Sequence, residues 1–174
     1  WVLKLNSDGT VAWQKTYGGS GGSDGANSIQ QTSDGGYIVT GATYSFGAGI
    51  ADIWVLKLNS DGTVAWQKTY GGSGYDYATS IQQTSDGGYI VAGYTQSFGA
   101  GNSDIWVLKL NADGTVAWQK TYGGSNDDSA DSIQQTSDGG YIVAGFTYSF
   151  GVDYSDIWVL KLNPDGSIAW QKTY

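Results

Sequence analysis

The oxygen-rich residues Asn126, Asp127, Asp128 and Asp131 fall within six positions of one another, with Asp153 and Asp156 further along the chain. Clustered carboxylate and amide oxygens of this kind suit Ca²⁺. Their spacing does not follow the EF-hand loop, and an Asp in a loop commonly bonds its own backbone. Calcium is therefore the one ion these oxygens suit, and no cofactor is expected. A second group, Tyr75, Tyr77, Tyr94, Gln96, Tyr148 and Tyr154, places aromatic rings beside amides and carboxylates. Rings that stack on the apolar face of a sugar, with polar groups for its hydroxyls, are the usual means of holding a neutral carbohydrate.

The residue types that are missing narrow the chemistry further. The chain has no His, Cys or Met, and every cation is Lys and every anion Asp. Zinc or copper sites on His and Cys, Ser-His-Asp and Cys-His nucleophile systems, haem ligation and arginine clamps on phosphate are all excluded. Two Asp carboxylates can in principle run glycoside hydrolysis, but one of them needs a distinctive buried setting. Most Asp positions here recur in every copy of a repeat, so an enzyme is not expected. The net charge of −8 argues against nucleic acid and anionic lipid, which reward clustered Lys and Arg. No apolar run is long enough for insertion into a membrane as a helix.

The elements that position these loops are set by an internal repeat. The string WVLKLN recurs with Trp at positions 1, 54, 106 and 158, and SIQQTSDGGYIV is identical at 28–39, 80–91 and 132–143. In the middle copy, Ile53–Leu58 and Val64–Tyr70 are β-branched and aromatic runs flanking Asn59-Ser60-Asp61-Gly62-Thr63. That pattern is a hairpin closed by a type I turn and a left-handed glycine. A second hairpin, Ala78–Thr84 and Tyr89–Thr95, flanks Ser85-Asp86-Gly87-Gly88, where Asp-Gly suggests a type I′ turn. Segments such as Tyr89-Ile90-Val91-Ala92 are apolar on both faces, so both faces of each sheet must be covered. A Trp54–Lys68 cation–π contact across the hairpin is a further expectation.

Four-stranded sheets covered on both sides are the blades of a β-propeller. The expected fold is all-β: antiparallel four-stranded blades, about three and a half in this chain, with a β-trefoil as the alternative. The whole of 1–174 reads as one repeat domain, with a half unit at 1–17 and full units at 18–70, 71–122 and 123–174. The remaining half unit and the absence of Met suggest a segment of a longer array or a chain that assembles head to tail. Copies of itself, or neighbouring repeats of a longer chain, are the expected partners, with glycans as a further one.

The unit Ser80–Thr95 followed by Ser103–Ser125 resembles the SBBP-type β-propeller repeats of large secreted or cell-surface proteins of bacteria and archaea, and more distantly kelch blades. The resemblance rests on the Gly-Gly hydrophobic strand ending in Ala-Gly, the Asp before the third strand and the Trp strand ending in Tyr-Gly-Gly. It implies a strand order a, b, c, d from axis to rim and an extracellular or cell-surface location. The copies differ in two connections, d to a and b to c, which a meander places on one face. Variation confined to one face of a repeat protein is the pattern of a binding face. The sequence therefore points to a structural or adhesive module, with a lectin-like carbohydrate-binding module as the alternative.

Overall fold

The computed structural model describes residues 1–152 and 154–174. A two-stranded half-blade comes first, β1 (Val2–Leu5) and β2 (Val11–Lys15), followed by three complete blades. The first is β3 (Asp24–Gln31), β4 (Tyr37–Thr43), β5 (Asp52–Leu58) and β6 (Val64–Tyr70). The second is β7 (Asp76–Gln83), β8 (Tyr89–Thr95), β9 (Asp104–Leu110) and β10 (Val116–Tyr122). The third is β11 (Asp128–Gln135), β12 (Tyr141–Thr147), β13 (Asp156–Leu162) and β14 (Ile168–Thr173). Each blade is its own antiparallel meander in sequence order a-b-c-d. The chain is thus built of β-propeller blades, and the trefoil alternative falls because each set of four strands forms a separate sheet.

Successive residues of a strand point to opposite faces, and here both faces are dry. In β8, Tyr89 and Val91 pack in a layer with Ile38, Ile53 and Val55 of the first blade. The residues between them, Ile90 and Ala92, pack in a second layer with Ala130, Ile133 and Val143 of the third blade. The strand c tryptophans Trp106 and Trp158 are buried in these two layers, and Trp54 in a third with Val39, Leu56 and Leu58. The strand d tryptophans Trp13, Trp66 and Trp118 meet Tyr37, Tyr89 and Tyr141 of the following blade edge to face, at 5.7, 5.9 and 5.8 Å. Trp54 lies opposite Thr69, while Lys68 lies opposite Val55. The expected Trp54–Lys68 contact does not form, because neighbours one residue apart face opposite sides of the sheet; Trp54 packs on Phe46 instead, at 5.5 Å.

Both hairpin turns use one left-handed glycine. In the c–d turn, the Gly62 N–H donates to the Asn59 carbonyl and the Asn59 N–H to the Thr63 carbonyl. The a–b turn repeats this, with Gly87 bonding Thr84 and Thr84 bonding Gly88. Gly87 has φ 81°, and among the described residues none other than glycine has a positive φ, so the type I′ expectation is corrected to a type I turn with a glycine bulge. Asp86 keeps an ordinary backbone because its carboxylate has other partners. It accepts from the Gly88 N–H at 3.0 Å and from the Thr84 hydroxyl at 2.5 Å, and it pairs with the buried Lys109 at 2.9 Å. Asp34–Lys57 and Asp138–Lys161 repeat the pair at 2.8 and 2.9 Å.

Strand a carries a bulge at Asn27, Thr79 and Asp131, where the register with strand b shifts. The bulge brings the strand a backbone against the glycine opposite: a methyl group on Gly93 would collide with the Tyr77 carbonyl oxygen, and Gly41 and Gly145 are enclosed in the same way. The inner edge of strand a has no strand beside it, yet its amides are met. The Ile81 and Gln83 N–H groups donate to Ser28 Oγ at 3.3 Å and Gln30 Oε1 at 2.6 Å. Ile133 and Gln135 donate to Ser80 and Gln82 at 3.3 and 2.7 Å. Each blade therefore satisfies the next one's exposed edge, as buried or partly buried amides require.

Two measurements check this account. Gly93→Ala forces backbone apart inside a packed sheet and is expected to cost about 2–4 kcal/mol in urea unfolding; a change below about 0.5 kcal/mol would contradict it. The Thr84 hydroxyl, with the Lys109 and Gly88 bonds, lowers the Asp86 pKa to about 2 against the opposing effect of burial. The unfolded value lies near ~3.9. A depressed carboxylate stabilises the fold above the unfolded pKa, so its contribution is present above pH ~4 and is lost as pH falls through about 2. An Asp86→Asn variant should unfold with a flatter acid dependence across that window.

Candidate functional site

Both variable connections emerge at the same end of the blades, and a buried Asp at the start of strand a fixes them to each other. Asp76 Oδ2 accepts from the Gly72 N–H at 2.8 Å and from Ser97 Oγ at 2.6 Å, so one carboxylate holds the d–a loop and the b–c loop. Its other oxygen accepts from the Thr95 hydroxyl. Thr95 Oγ1 in turn accepts from the Ser97 and Phe98 N–H groups at 3.0 and 3.2 Å. Asp128 repeats the arrangement with Gly124 N at 2.8 Å and Ser149 Oγ at 2.7 Å. At the start of strand c, Asp104 accepts from Ala100 and Gly101, both at 3.0 Å, and Asp52 from Gly49 at 3.1 Å. These carboxylates are internal struts of the loops.

That frame divides the acidic residues singled out from the sequence. Asp128 is fully buried in β11 and belongs to the frame. Asp131 is exposed at the strand a bulge, along the inner edge, where the equivalent Asn27 and Thr79 donate to the Ala78 and Ala130 carbonyls at 2.8 and 2.6 Å. Asp127 is exposed on the loop face, and Asp153 lies outside the described residues. The carboxylates grouped as a calcium candidate thus face different surroundings, and among the described residues no group of three or more acidic side chains converges on a metal position. Asp128 and Tyr77, expected in a loop, stand in strand a because the strand begins two residues earlier than its apolar pattern suggests.

The aromatic residues separate into two sites. Between the first and second blades, Tyr75 stacks on Tyr77 at 6.4 Å and Tyr77 on Tyr94 at 5.2 Å, with 14° between the latter planes. Tyr44 closes the group edge to face at 6.5 and 6.3 Å, its hydroxyl against that of Tyr77. Burial raises the Tyr94 pKa above the usual phenol value, helped by Tyr44 and Asp76. Gln96, on the rim of this site, donates to Ser103 Oγ at 3.3 Å.

A separate cleft opens on the loop face between the second and third blades. Asn102, Asn126, Asp127, Tyr148 and Tyr154 line a cleft of about 480 Å³. The Asn126 side chain donates to the Tyr148 carbonyl at 2.9 Å. The Tyr148 N–H donates to the Asp127 carbonyl, also at 2.9 Å. Tyr148 meets Tyr154 edge to face at 5.2 Å and Phe146 at 5.5 Å. Tyr154 is 88% exposed, so its ring is presented to solvent. Two phenol rings, two amides and one carboxylate in an open cleft can hold a polyhydroxylated ligand by stacking and hydrogen bonding. Among the described residues, Asp127 is the carboxylate on this lining. Asn102 and Tyr44 were not singled out in the sequence. The signal lay in the repeat itself, since Asn102 and Tyr154 hold equivalent positions of consecutive copies.

A sequence model of the DUF5122 β-propeller domain, a domain of unknown function, matches residues 32–64 and 84–116. Each matched stretch runs from the a–b turn through strands b and c to the first residue of strand d, and the match supports a β-propeller repeat family. No curated protein matches the chain. Among solved structures, the crystal structure of Sqt1 from Chaetomium thermophilum aligns with a TM-score of 0.44 and 13% identity over 87% of this chain. The alignment takes in 36% of the Sqt1 chain, so this chain spans little more than a third of that protein.

The division between frame and cleft is measurable. Asp128→Ala removes a buried acceptor that holds two loops and is expected to cost about 2–4 kcal/mol in urea unfolding. Asp127→Ala, on the exposed lining, should stay within about 0.5 kcal/mol of the parent. Equal effects at the two positions would contradict the assignment.

Proposed function

We propose that this chain is a non-catalytic structural and adhesive β-propeller repeat module of an extracellular or cell-surface protein, assembling through its blade faces and binding through its variable loops. The observation that carries the reading is the contrast between a frame that repeats almost unchanged and two loop sets that vary, gathered at one end of the blades. The resemblance to SBBP-type repeats of secreted and surface proteins supports the location. Neighbouring repeats or copies of the chain are the partners for the blade faces, since Trp1, Leu3 and Leu5 at one end and Ile157, Ile168 and Trp170 at the other are exposed. Nucleic acid and membrane insertion have no place in the reading, and the module needs no cofactor.

The open cleft favours one more specific reading, a lectin-like module that takes a neutral or cationic glycan. Tyr148 and Tyr154 would stack on the sugar while Asn102, Asn126 and Asp127 take its hydroxyls. A glycan array on the 174-residue chain, paired with light scattering after size exclusion, tests both parts. Array signals that Tyr154→Ser abolishes without lowering the melting temperature support the carbohydrate reading; a silent array ends it. A dimer or larger species supports assembly through blade faces, and a cooperative 18.4 kDa monomer overturns it.

A further inference from the structure

Two pairs of buried carboxylates meet where consecutive blades join at their loop end. Asp52 and Asp104 open strand c of the first and second blades, and Asp76 and Asp128 open strand a of the blade that follows. Backbone bonds hold each pair together: the Asp76 N–H donates to the Ala51 carbonyl and the Asp128 N–H to the Ser103 carbonyl, both at 2.8 Å. The glycine after strand d gauges the approach. A methyl group on Gly71 would lie 2.0 Å from Asp52 Oδ1 and 2.7 Å from Asp76 Oδ2. On Gly123 it would lie 2.0 Å from Asp104 Oδ1 and 2.8 Å from Asp128 Oδ2. The facing oxygens of each pair are therefore within about 5 Å of each other, a span that one Ca²⁺ ion bridges with two bonds of about 2.3–2.6 Å.

Nothing on the protein neutralises these charges. Each of the four residues is at most 1% exposed, and burying like charges side by side is costly unless a counter-charge joins them. The ion pairs among the described residues lie at the a–b turns, at the other end of the blades. The facing oxygens are not used up either. The loop amides bond the far oxygen of each strand c residue: Gly49 donates to Asp52 Oδ2, and Ala100 and Gly101 to Asp104 Oδ2. Asp52 Oδ1 and Asp104 Oδ1, which face Asp76 and Asp128, accept no hydrogen bond from the described residues. Asp128 Oδ1 is enclosed without a partner as well.

We propose that each pair, Asp52–Asp76 and Asp104–Asp128, holds a Ca²⁺ ion that locks consecutive blades together beneath the variable loops. Two carboxylates balance the charge of one divalent cation, and a hard oxygen set completed by water or carbonyl oxygens is its usual setting. Of the acidic residues grouped in the sequence, Asp128 takes part; Asp52, Asp76 and Asp104 come from outside that group. The ion is structural and takes no part in a reaction, and neither adhesion nor glycan binding is needed for it. Its removal leaves two like charges in each blade junction, so the stack loses stability where calcium is scarce.

The test uses the intact 174-residue chain, stripped with EDTA and kept in about 0.15 M NaCl to screen surface charge. Calorimetric titration with CaCl₂ should give two ions per chain with half-saturation at about 0.1–1 mM, the range of extracellular calcium modules. The melting temperature should rise by about 5 °C at saturation. Hydrogen exchange reads the position: the Gly49, Gly72, Gly101 and Gly124 amides should slow at least about threefold, while Gly88 at the a–b turn stays unchanged. A chain carrying both Asp52→Asn and Asp104→Asn keeps an acceptor for the loop amides and turns a donor toward the facing carboxylate. Without calcium it should melt no lower than the parent, and with calcium it should neither bind nor gain stability. Asp131→Asn is the control, since the first copy carries Asn27 at that position, and it should keep both ions. No saturable binding up to about 10 mM, tenfold beyond the expected range, would overturn the proposal. So would two ions retained by the double variant, or slowed exchange confined to other amides. A double variant that melts lower by the same amount with and without calcium would assign the carboxylates to hydrogen bonding alone and also overturn it. Should that variant fail to fold, stoichiometry and exchange in the parent decide the matter.

Discussion

Everything in this structure depends on blades covering one another's faces, as in the second blade, whose inner strands are dry on both. A four-stranded sheet with residues such as Tyr89 and Val91 on one side and Ile90 and Ala92 on the other is not a stable object alone. It becomes one when a blade on each side covers it, so that Leu108 and Val107, adjacent in sequence, serve two different hydrophobic layers. Removing about 25 cal/mol per Å² of apolar surface from water drives this stacking, and the driving force has no direction of its own. What gives it direction is that the two faces of a blade are unlike. One presents Trp, Leu and Tyr from strands b and c, the other presents Ile, Val and Ala. Large side chains of one blade enter the shallower surface left by small ones on its neighbour, and the order of blades follows.

The polar groups accept this arrangement and then sharpen it. Strand a has an unpaired inner edge near the propeller axis, and water is the ordinary partner for such an edge. Here the preceding blade supplies Ser and Gln side chains in register with its amides. A blade slipped by one residue along its neighbour would lose every one of these bonds together with the fit of the apolar layer. The Asp–Lys pair does similar work at the a–b turn. The Asp carboxylate lies at the surface and contributes little by charge alone, but it also accepts from a Thr hydroxyl and a glycine amide, so the turn and strand c are fixed to one another. At the opposite end, buried Asp76 and Asp128 each hold two loops through Gly and Ser partners, and Asp76 through Thr95 as well. The loop backbone is thus set by residues that do not vary, and the side chains displayed on it can change without refolding it.

Much of the fold was legible in the sequence because a repeat reports the same structure several times over. Strands b and d end where their β-branched and aromatic runs end, at Tyr89–Thr95 and Val64–Tyr70, and dryness on both faces was visible in the lack of alternation. The start of strand a was not legible. Asp76 and Tyr77 look like loop residues, and they extend the strand only because a buried Asp finds three donors and because the bulge at Thr79 lets the strand bend to meet them. The a–b turn was misread for a related reason. Asp-Gly favours a type I′ turn when local preference decides, whereas here the Asp side chain is committed to Thr84, Gly88 and Lys109, and one positive φ at Gly87 is enough. Local propensity gave way to a contact with strand c, far away in sequence.

The same distinction explains why the candidate site was half visible. Residue type and variability pointed to the loop face, but they could not separate Asp127, which faces the cleft, from its neighbour Asp128, which is wholly enclosed. Adjacent residues at the entry to a strand point in opposite directions, so a cluster of four oxygen-bearing residues in sequence becomes Asn126 and Asp127 on the cleft, a buried strut at Asp128, and Asp131 exposed at the strand a bulge. The tyrosines show the converse effect. Tyr75, Tyr77 and Tyr94, spread over twenty positions, come together because Tyr77 and Tyr94 are directly opposed across strands a and b. Their rings then occupy one another's faces, whereas one blade further on the matching positions are Asp127, Ser129 and Phe146, so the triple stack is not repeated. In a repeat protein the difference between a filled notch and a binding cleft lies in a few side chains on an unchanged backbone, and that economy is what lets a rigid stack of blades carry variable surface chemistry.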